Sequence, residues 1–341
     1  MTLPRVLLVG ATGAVGQEFL RVLEMRRFPM ASLRLSASRR SRGKRIRFMS
    51  QELSVEETTP DVFIDSDLVF ISVSSTISQE LVPIAVEAGA VVVDDSAAFR
   101  MESHVPLVVP EINAADLDDH KGITAIPNCS TTQMVMALYP IHKVNPIRRI
   151  VVDTYQSVSG TGRDAMDELE EQTRYGTGTG TPPPRVYPHQ IAFNVLPQID
   201  SFLEGGYTKE ERKMVEETRK IMHAPDIAIS ATCVRVPVYI SHSEAIHVEL
   251  TQPMSPDEAR KILMETPGVE VVDDPSAGIY PLALSAAGRD EVFVGRIRQD
   301  SSHPNGLAMW VVSDNLRKGA ALNAVQIAEE LVARKLLRST R

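Results

Sequence analysis

A short apolar run, Leu3 to Val9, ends in the turn Gly10-Ala11-Thr12-Gly13-Ala14-Val15-Gly16, and Val15 to Met25 follows with Val15, Phe19, Leu20 and Leu23 at helical spacing. A branched apolar run this short reads as a strand buried on both faces. Glycines between such a strand and a helix allow a tight turn and let the backbone approach a pyrophosphate, whose charge meets the helix N-terminus. The rival is an incidental tight turn, and the strand before and helix after favour the dinucleotide site. Gly10, Gly13 and Gly16 are its framework, and they commit the start of the chain to a parallel α/β sheet.

The alternation continues through Leu33 to Ser36, Leu68 to Val73, a helix over Gln79 to Ala88, and Val91 to Asp94. It predicts a doubly wound Rossmann-like domain over roughly the first 130 residues. The second half differs: Arg149 to Val158, Ile227 to Val238, Ala245 to Leu250, Val292 to Gln299 and Leu307 to Ser313 are long strands with few helices between them. This predicts an α+β domain with a large mixed sheet. Two capping boxes, at Thr208 and Ser255, open helices in this half. The stretch Gly176 to Pro184 is low-complexity loop and receives no chemistry. Gly319 to Leu337 reads as an amphipathic helix returning to the first domain. The expected division is 1–128 with 316–341, and 129–315.

The length of 341 residues suits two domains, and 43% hydrophobic with 23% charged residues supplies a sizeable core. A net charge of −8 gives no footing for nucleic acid or an anionic membrane. Two cysteines are too few for a disulfide scaffold or a cysteine-rich zinc site. No signal-peptide plan and no bilayer-length apolar stretch stands out. The expectation is a reduced, soluble, cytoplasmic protein with no metal.

The cofactor's ribose side is also legible. An NAD site of this kind places an acid at the end of the second strand. Residues 33 to 48 hold none, and carry Ser36, Ser38, Arg39, Arg40, Ser41, Arg42, Lys44, Arg45 and Arg47 instead. Hydroxyls and guanidinium groups suit a 2′-phosphate, so NADP is expected. One phosphate cannot use every cation, so part of this run is solvated loop. An acidic chain without interleaved aromatics disfavours nucleic acid.

Ile126-Pro127-Asn128-Cys129-Ser130-Thr131-Thr132-Gln133 leads into the apolar run Met134 to Leu138. Proline ends a strand and Ser/Thr start helices, so Cys129 is expected at a helix N-terminus. There the dipole favours a thiolate, and backbone N–H groups with Asn128 would hold an oxyanion. A buried, inert cysteine is the default for any single Cys, and it fits Cys233, inside an apolar strand. Three histidines compete as the partner: His242 in a polar Ser-His-Ser-Glu turn, His247 alternating within a strand, and His189 near the Pro-rich stretch. Spacing alone does not separate them.

The segments GATGAVG, PNCSTTQ, YQSVSGTG (155–162), CVRVPVYISHSE (233–244), VGRIRQD (294–300) and WVVSDNLRKGAA (310–321) together resemble the aspartate-β-semialdehyde dehydrogenase family over nearly the whole chain. That resemblance implies reduction of L-aspartyl-4-phosphate to L-aspartate-4-semialdehyde with NADPH and release of phosphate, a step toward lysine (through diaminopimelate), methionine, threonine and isoleucine. It implies Cys129 as the nucleophile that carries a thioacyl intermediate, Gln156 orienting that intermediate, His242 as acid/base and Arg235 gripping the substrate carboxylate. Glu210 would meet the substrate amino group, Lys213 and Arg100 its phosphate. Their bland alternatives are a surface ion pair for Glu210 and Lys213, and an exposed loop arginine for Arg100. Thr12, Gly13, Ala14 and Val15 would meet the pyrophosphate, Ser38, Arg40 and Ser41 the 2′-phosphate, and Ser159, Gly160 and Asn315 the nicotinamide. Arg39 remains open beside Arg40. The family also implies a homodimer. An N-acetylglutamyl-phosphate reductase and a non-catalytic NADP-binding paralogue are the alternatives.

Overall fold

Leu7, Leu8 and Val9 have no room for water on either side, and they form the centre of β1 (Arg5–Val9) in a computed structural model that describes residues 3–176 and 180–337. Positions 177–179 of the Gly/Thr/Pro stretch and 338–341 of the C-terminal segment lie outside the described residues. The chain divides into two units, 1–127 with 320–341, and 128–319.

The first unit runs β1, α1 (Ala14–Met25), β2 (Ser32–Ala37), β3 (Arg45–Phe48), β4 (Gln51–Glu57), β5 (Leu68–Ile71), α2 (Ser75–Glu87), β6 (Val91–Asp94), the single turn α3 (Pro110–Asn113) and β7 (Ile123–Ala125). Its sheet has the order β3-β4-β2-β1-β5-β6-β7, parallel except for the β3–β4 hairpin. One apolar layer joins α1 to the C-terminal helix Leu322–Ala333, and the other joins α2 to the opposite face. The alternation of the sequence predicts this doubly wound plan. The hairpin is additional: part of the basic run reads as solvated loop, and its last two cations, Arg45 and Arg47, lie in β3.

The second unit contains α4 (Cys129–Val144), β8 (Ile147–Gln156), α5 (Arg163–Tyr175), α6 (Lys209–Ile221), β9 (Ala228–Arg235), β10 (His242–Leu250), α7 (Pro256–Met264), β11 (Val269–Val271), α8 (Ala283–Ala286), β12 (Val292–Gln299) and β13 (Gly306–Ser313). Its sheet has the order β11-β12-β13-β10-β8-β9. The pairs β8–β9 and β11–β12 are parallel and the others antiparallel, the mixed sheet the sequence predicts. Residues 130 to 138 of α4 are all buried, so this helix runs through the interior rather than along it. Both capping boxes form, at Thr208 and Ser255.

Register in this sheet positions the chemistry. Strand alternation sends Arg235, Gln156, His242 and Ser313 to one face, and pairing aligns Gln156 with Arg235 and His242 with Ser313. Tyr155 pairs with Ser243, so Gln156 and His242 are neighbours too. Two residues back along the strands lies a second row, Cys233, Thr154, Glu244 and Val311.

Candidate active site

Cys129 is the first residue of α4, and Asn128 is its N-cap. The Asn128 Oδ1 accepts from Ser130 N–H at 3.0 Å and from Thr131 N–H at 3.4 Å. Its Nδ2 donates to Glu210 Oε1 at 2.8 Å, and its backbone N–H donates to Glu217 Oε2 at 2.6 Å. The expectation that Asn128 and the first helical N–H groups hold an oxyanion therefore meets a different geometry. The Asn128 Oδ1 and the Ser130 and Thr131 N–H groups are engaged in fixing the helix start, and Asn128 Nδ2 is tied to Glu210.

His242 Nε2 lies 3.2 Å from Cys129 Sγ. His242 is the first residue of β10 rather than part of a turn, and it is fully buried. The left-handed backbone of Ser241 (φ 78) aims it. On the other side of the ring, Nδ1 accepts from Ser157 N–H at 3.0 Å and lies 3.1 Å from Ser157 Oγ. Burial first, then the Arg235 charge, lowers the His242 pKa to about 3, against a smaller opposing effect of Glu210. The two other histidines lie elsewhere: His247 Nδ1 is 2.8 Å from Asp300, and His189 is exposed.

Arg235 is buried and has no carboxylate partner among the described residues. Its Nη1 donates to Ser157 O at 2.6 Å, and its buried Nε has no hydrogen-bond partner. A buried guanidinium left in this state suits an incoming planar anion. Gly160 is glycine for the same reason of space, since a Cβ there would meet Arg235 Nη1 at 3.2 Å and His242 Cε1 at 3.3 Å. Gln156 donates from Nε2 to Glu210 Oε1 at 3.1 Å and accepts from Thr154 Oγ1 at 2.9 Å.

Glu210 is thus a hub, with Asn128 and Gln156 on one oxygen and Lys213 Nζ on the other at 3.1 Å. Burial alone would raise its pKa, but the Lys213 charge and the amide donors outweigh this and hold it at about 2. Lys213 also pairs with Asp200 at 3.1 Å. The bland reading of a surface ion pair does not apply, because Glu210 is buried. Ser159 Oγ and Ser157 Oγ donate to Asn315 Oδ1 at 3.0 and 3.1 Å, while Asn315 Nδ2 is buried without a partner. Sequence reasoning passed over Ser157, Glu217 and Gly319. A Cβ on Gly319 would lie 2.8 Å from the Cys129 Cβ, so a glycine is needed against Cys129. Its signal was a glycine at the first position of a predicted helix. Cys233 is buried against Met214, with its pKa pushed up by burial.

The first unit carries the other expected residues. Gly10 (φ 86) and Gly16 are required by the turn itself, since a Cβ on either would approach Ser72 O or Gly10 O to 2.1 or 2.2 Å. Gly13 is different: its φ is −74 and a Cβ would meet nothing nearer than 3.4 Å. The fold does not demand glycine there, whereas a phosphate brought against the backbone would. No side chain caps α1, which leaves its N-terminus, with Ala14 and Val15, suited to an anion. Thr12 Oγ1 and Ser41 Oγ are 3.2 Å apart, and Ser38, Arg39 and Arg40 are exposed at the end of β2. These residues fit a nicotinamide dinucleotide. Arg100 is buried, with Nη2 donating to Asp95 O at 2.9 Å. No group of three or more residues able to hold a metal, and no helix long and apolar enough to cross a membrane, occurs among the described residues.

Two family profiles match the chain: "Semialdehyde dehydrogenase, NAD binding domain" over residues 5–120, and "Semialdehyde dehydrogenase, dimerisation domain" over 138–318. The chain is 52% identical over 337 residues to an aspartate-semialdehyde dehydrogenase of Aquifex aeolicus, covering 98% of this chain and 99% of the relative. It is 53% identical over 336 residues to that of Legionella pneumophila, covering 98% and 97%. Among solved structures, aspartate semialdehyde dehydrogenase II of Vibrio cholerae complexed with ASA is similar with a TM-score of 0.95 and 44% identity, covering 98% of this chain and 99% of that one. Aspartate semialdehyde dehydrogenase with NADP from Candida albicans follows at a TM-score of 0.75 and 26% identity, covering 98% and 100%.

Proposed function

The chain belongs to the aspartate-semialdehyde dehydrogenase family, and we propose that it reduces L-aspartyl-4-phosphate to L-aspartate-4-semialdehyde through a thioester on Cys129, with NADPH as reductant. One observation carries this: the Cys129 sulphur lies 3.2 Å from a buried imidazole, at a helix start held by Asn128 and Glu217. Cys129 attacks the acyl carbon, the C–O bond to phosphate breaks, and phosphate leaves. The bound cofactor supplies the hydride that reduces the thioester. Collapse of the resulting thiohemiacetal returns the thiol group and frees the aldehyde. His242 stands at the sulphur through both steps, and Gln156, anchored by Glu210 and Thr154, orients the acyl group. Arg235 receives the substrate carboxylate, which its buried Nε, left without a hydrogen-bond partner, supports. Glu210 serves the amino group, while Lys213 and Arg100 serve phosphate.

The 2′-phosphate preference is supported by Ser38, Arg40 and Ser41 in the absence of an acid at the end of β2. Ser159, Gly160 and Asn315 would receive the nicotinamide, the buried Asn315 Nδ2 being a donor still to be used. A homodimer through the second unit is supported by the sheet face carrying Tyr155 and Trp310, whose rings are 5.4 Å apart and partly exposed. Two free cysteines and a thiol nucleophile suit a reducing cytoplasm, and the product would feed lysine, methionine, threonine and isoleucine formation. The reverse assay tests the reaction: aspartate semialdehyde with phosphate reduces NADP faster than NAD, and Cys129→Ala abolishes turnover. Turnover retained in that variant sinks the thioester.

A further inference from the structure

We propose that Tyr187 is a positioning residue for Arg235, its ring set against the guanidinium face so that the edge bearing Nε stays turned to the substrate carboxylate. This deepens the reading above, in which Arg235 takes that carboxylate, and rests on it.

A guanidinium presents its donors only in its own plane, so its grip on a planar anion depends on how that plane is held. Arg235 Nη1 donates to Ser157 O at 2.6 Å, and the buried Nε has no hydrogen-bond partner. One hydrogen bond at one edge still leaves the plane free to rotate. A second constraint comes from the face: Arg235 Cζ lies 5.9 Å from the centre of the Tyr187 ring, within reach of a cation–π contact. The Gly160 backbone stands close as well, since a Cβ there would meet Nη1 at 3.2 Å. Edge and face together define one plane.

Tyr187 is itself held in place. Its hydroxyl donates to Thr161 Oγ1 at 3.0 Å, in the single helical turn Val158–Thr161 that also carries Ser159 and Gly160. Burial raises the Tyr187 pKa against a smaller opposing pull of the Arg235 charge, so the phenol keeps the proton it donates. The chain on both sides of Tyr187 is fastened from α5. Glu168 and Gln172 are four residues apart, hence on one helical face, and both are buried. Glu168 Oε2 accepts from the N–H groups of Arg185 and Val186, each at 2.7 Å. Gln172 Oε1 accepts from those of Ile191 and Ala192, at 3.0 and 3.1 Å. Two successive N–H groups are thus captured before the tyrosine and two after it.

The segment therefore has a built conformation, although it follows directly on the Gly/Thr/Pro stretch. Val186 and Tyr187 also pack on the small apolar cluster of Val158, Ala165, Leu169 and Ile191. Packing there does not by itself account for a cation over the ring face. Because Tyr187 acts through Arg235, removing its ring bears on capture of the carboxylate and not on the chemistry at the sulphur.

The test uses the full-length enzyme in the reverse direction, with aspartate semialdehyde, phosphate and NADP. In Tyr187→Leu the KM for aspartate semialdehyde rises roughly fivefold to thirtyfold, while kcat and the KM for phosphate stay within about twofold of wild type. Tyr187→Phe keeps the ring and holds all three within about threefold. Iodoacetamide alkylates Cys129 at the wild-type rate in both variants. An unchanged KM for aspartate semialdehyde in Tyr187→Leu overturns the inference. So does a loss shared by kcat, the phosphate KM and the alkylation rate, which marks a general disturbance of the fold. A Tyr187→Phe enzyme as impaired as Tyr187→Leu overturns it too, because the hydroxyl and not the ring face is then what counts. Each of these leaves the family reaction standing, since the wild type turns over in the same assay; a wild type inert toward aspartate semialdehyde overturns that reading itself.

Discussion

Single residues around Cys129 act through contact distances that matter to a few tenths of an ångström. Gly319 is the sharpest case, because a Cβ there would sit 2.8 Å from the Cys129 Cβ and 3.2 Å from its Cα. Both atoms belong to the first residue of a helix whose start is fixed by Asn128, so the clash cannot be absorbed at the end of a flexible chain. Gly319→Ala is expected to displace the sulphur and lower kcat/KM by roughly tenfold to a hundredfold. The circular dichroism spectrum should stay that of the wild type. Wild-type turnover and an unchanged Cys129 alkylation rate would show that the neighbourhood yields more readily than its packing implies. The same logic separates the glycines of the N-terminal turn: Gly10 and Gly16 serve the fold, while Gly13 has room for a methyl, which fits the proposed cofactor contact better than a demand of the fold.

At the scale of elements, α6 organises the surroundings of Cys129 from outside that residue's own segment. Glu210, Met214, Glu217 and Ile221 share its buried stripe, so two acids occupy positions that helical spacing would give to apolar residues. That was the legible signal for Glu217, and it passes unnoticed when the pattern is scanned only for hydrophobic content. Glu217→Ala leaves the buried Asn128 N–H without its 2.6 Å acceptor, at a cost of about 1–3 kcal/mol. Turnover should fall with stability, because that N–H anchors the residue before Cys129. Ser255→Ala is the matched control. It removes the cap of α7, costs about 1 kcal/mol, and leaves turnover unchanged. Denaturant melts alongside steady-state rates check the pair; similar rate losses in both would mean that α6 acts only through global stability.

For the whole molecule, the parts legible in sequence were those set by local period: the strand–turn–helix opening, the parallel alternation, the long strands of the second half and both capping boxes. What escaped was long-range. The row that brings Arg235, Gln156, His242 and Ser313 together depends on register between strands distant in sequence, and no local pattern encodes it. His242 reads as turn because its polar neighbours serve a buried site, and Ser157 acts through its peptide, which composition never shows. That buried polarity also sets how stability responds to pH. His242, lowered to about 3 by burial and Arg235, stays neutral in the fold while the unfolded chain protonates below about 6.5, so stability falls as pH drops through that window. Glu210, held at about 2 despite burial, stays ionised while the unfolded chain protonates, so it too loses stability as pH falls below its ordinary value. Glu244 has the opposite sign. Burial raises its pKa and outweighs the opposing effect of the Gln133 side chain, so the fold keeps its proton after the unfolded chain has released one. Its contribution is complete below the ordinary carboxyl pKa and declines as pH rises, by up to about 1.4 kcal/mol per pH unit. Glu244→Gln removes that proton linkage with little change in shape. Melts between about pH 5 and about pH 8 should therefore decline less with rising pH in the variant than in the wild type. Parallel curves would mean that Glu244 ionises in the fold with a partner of its own.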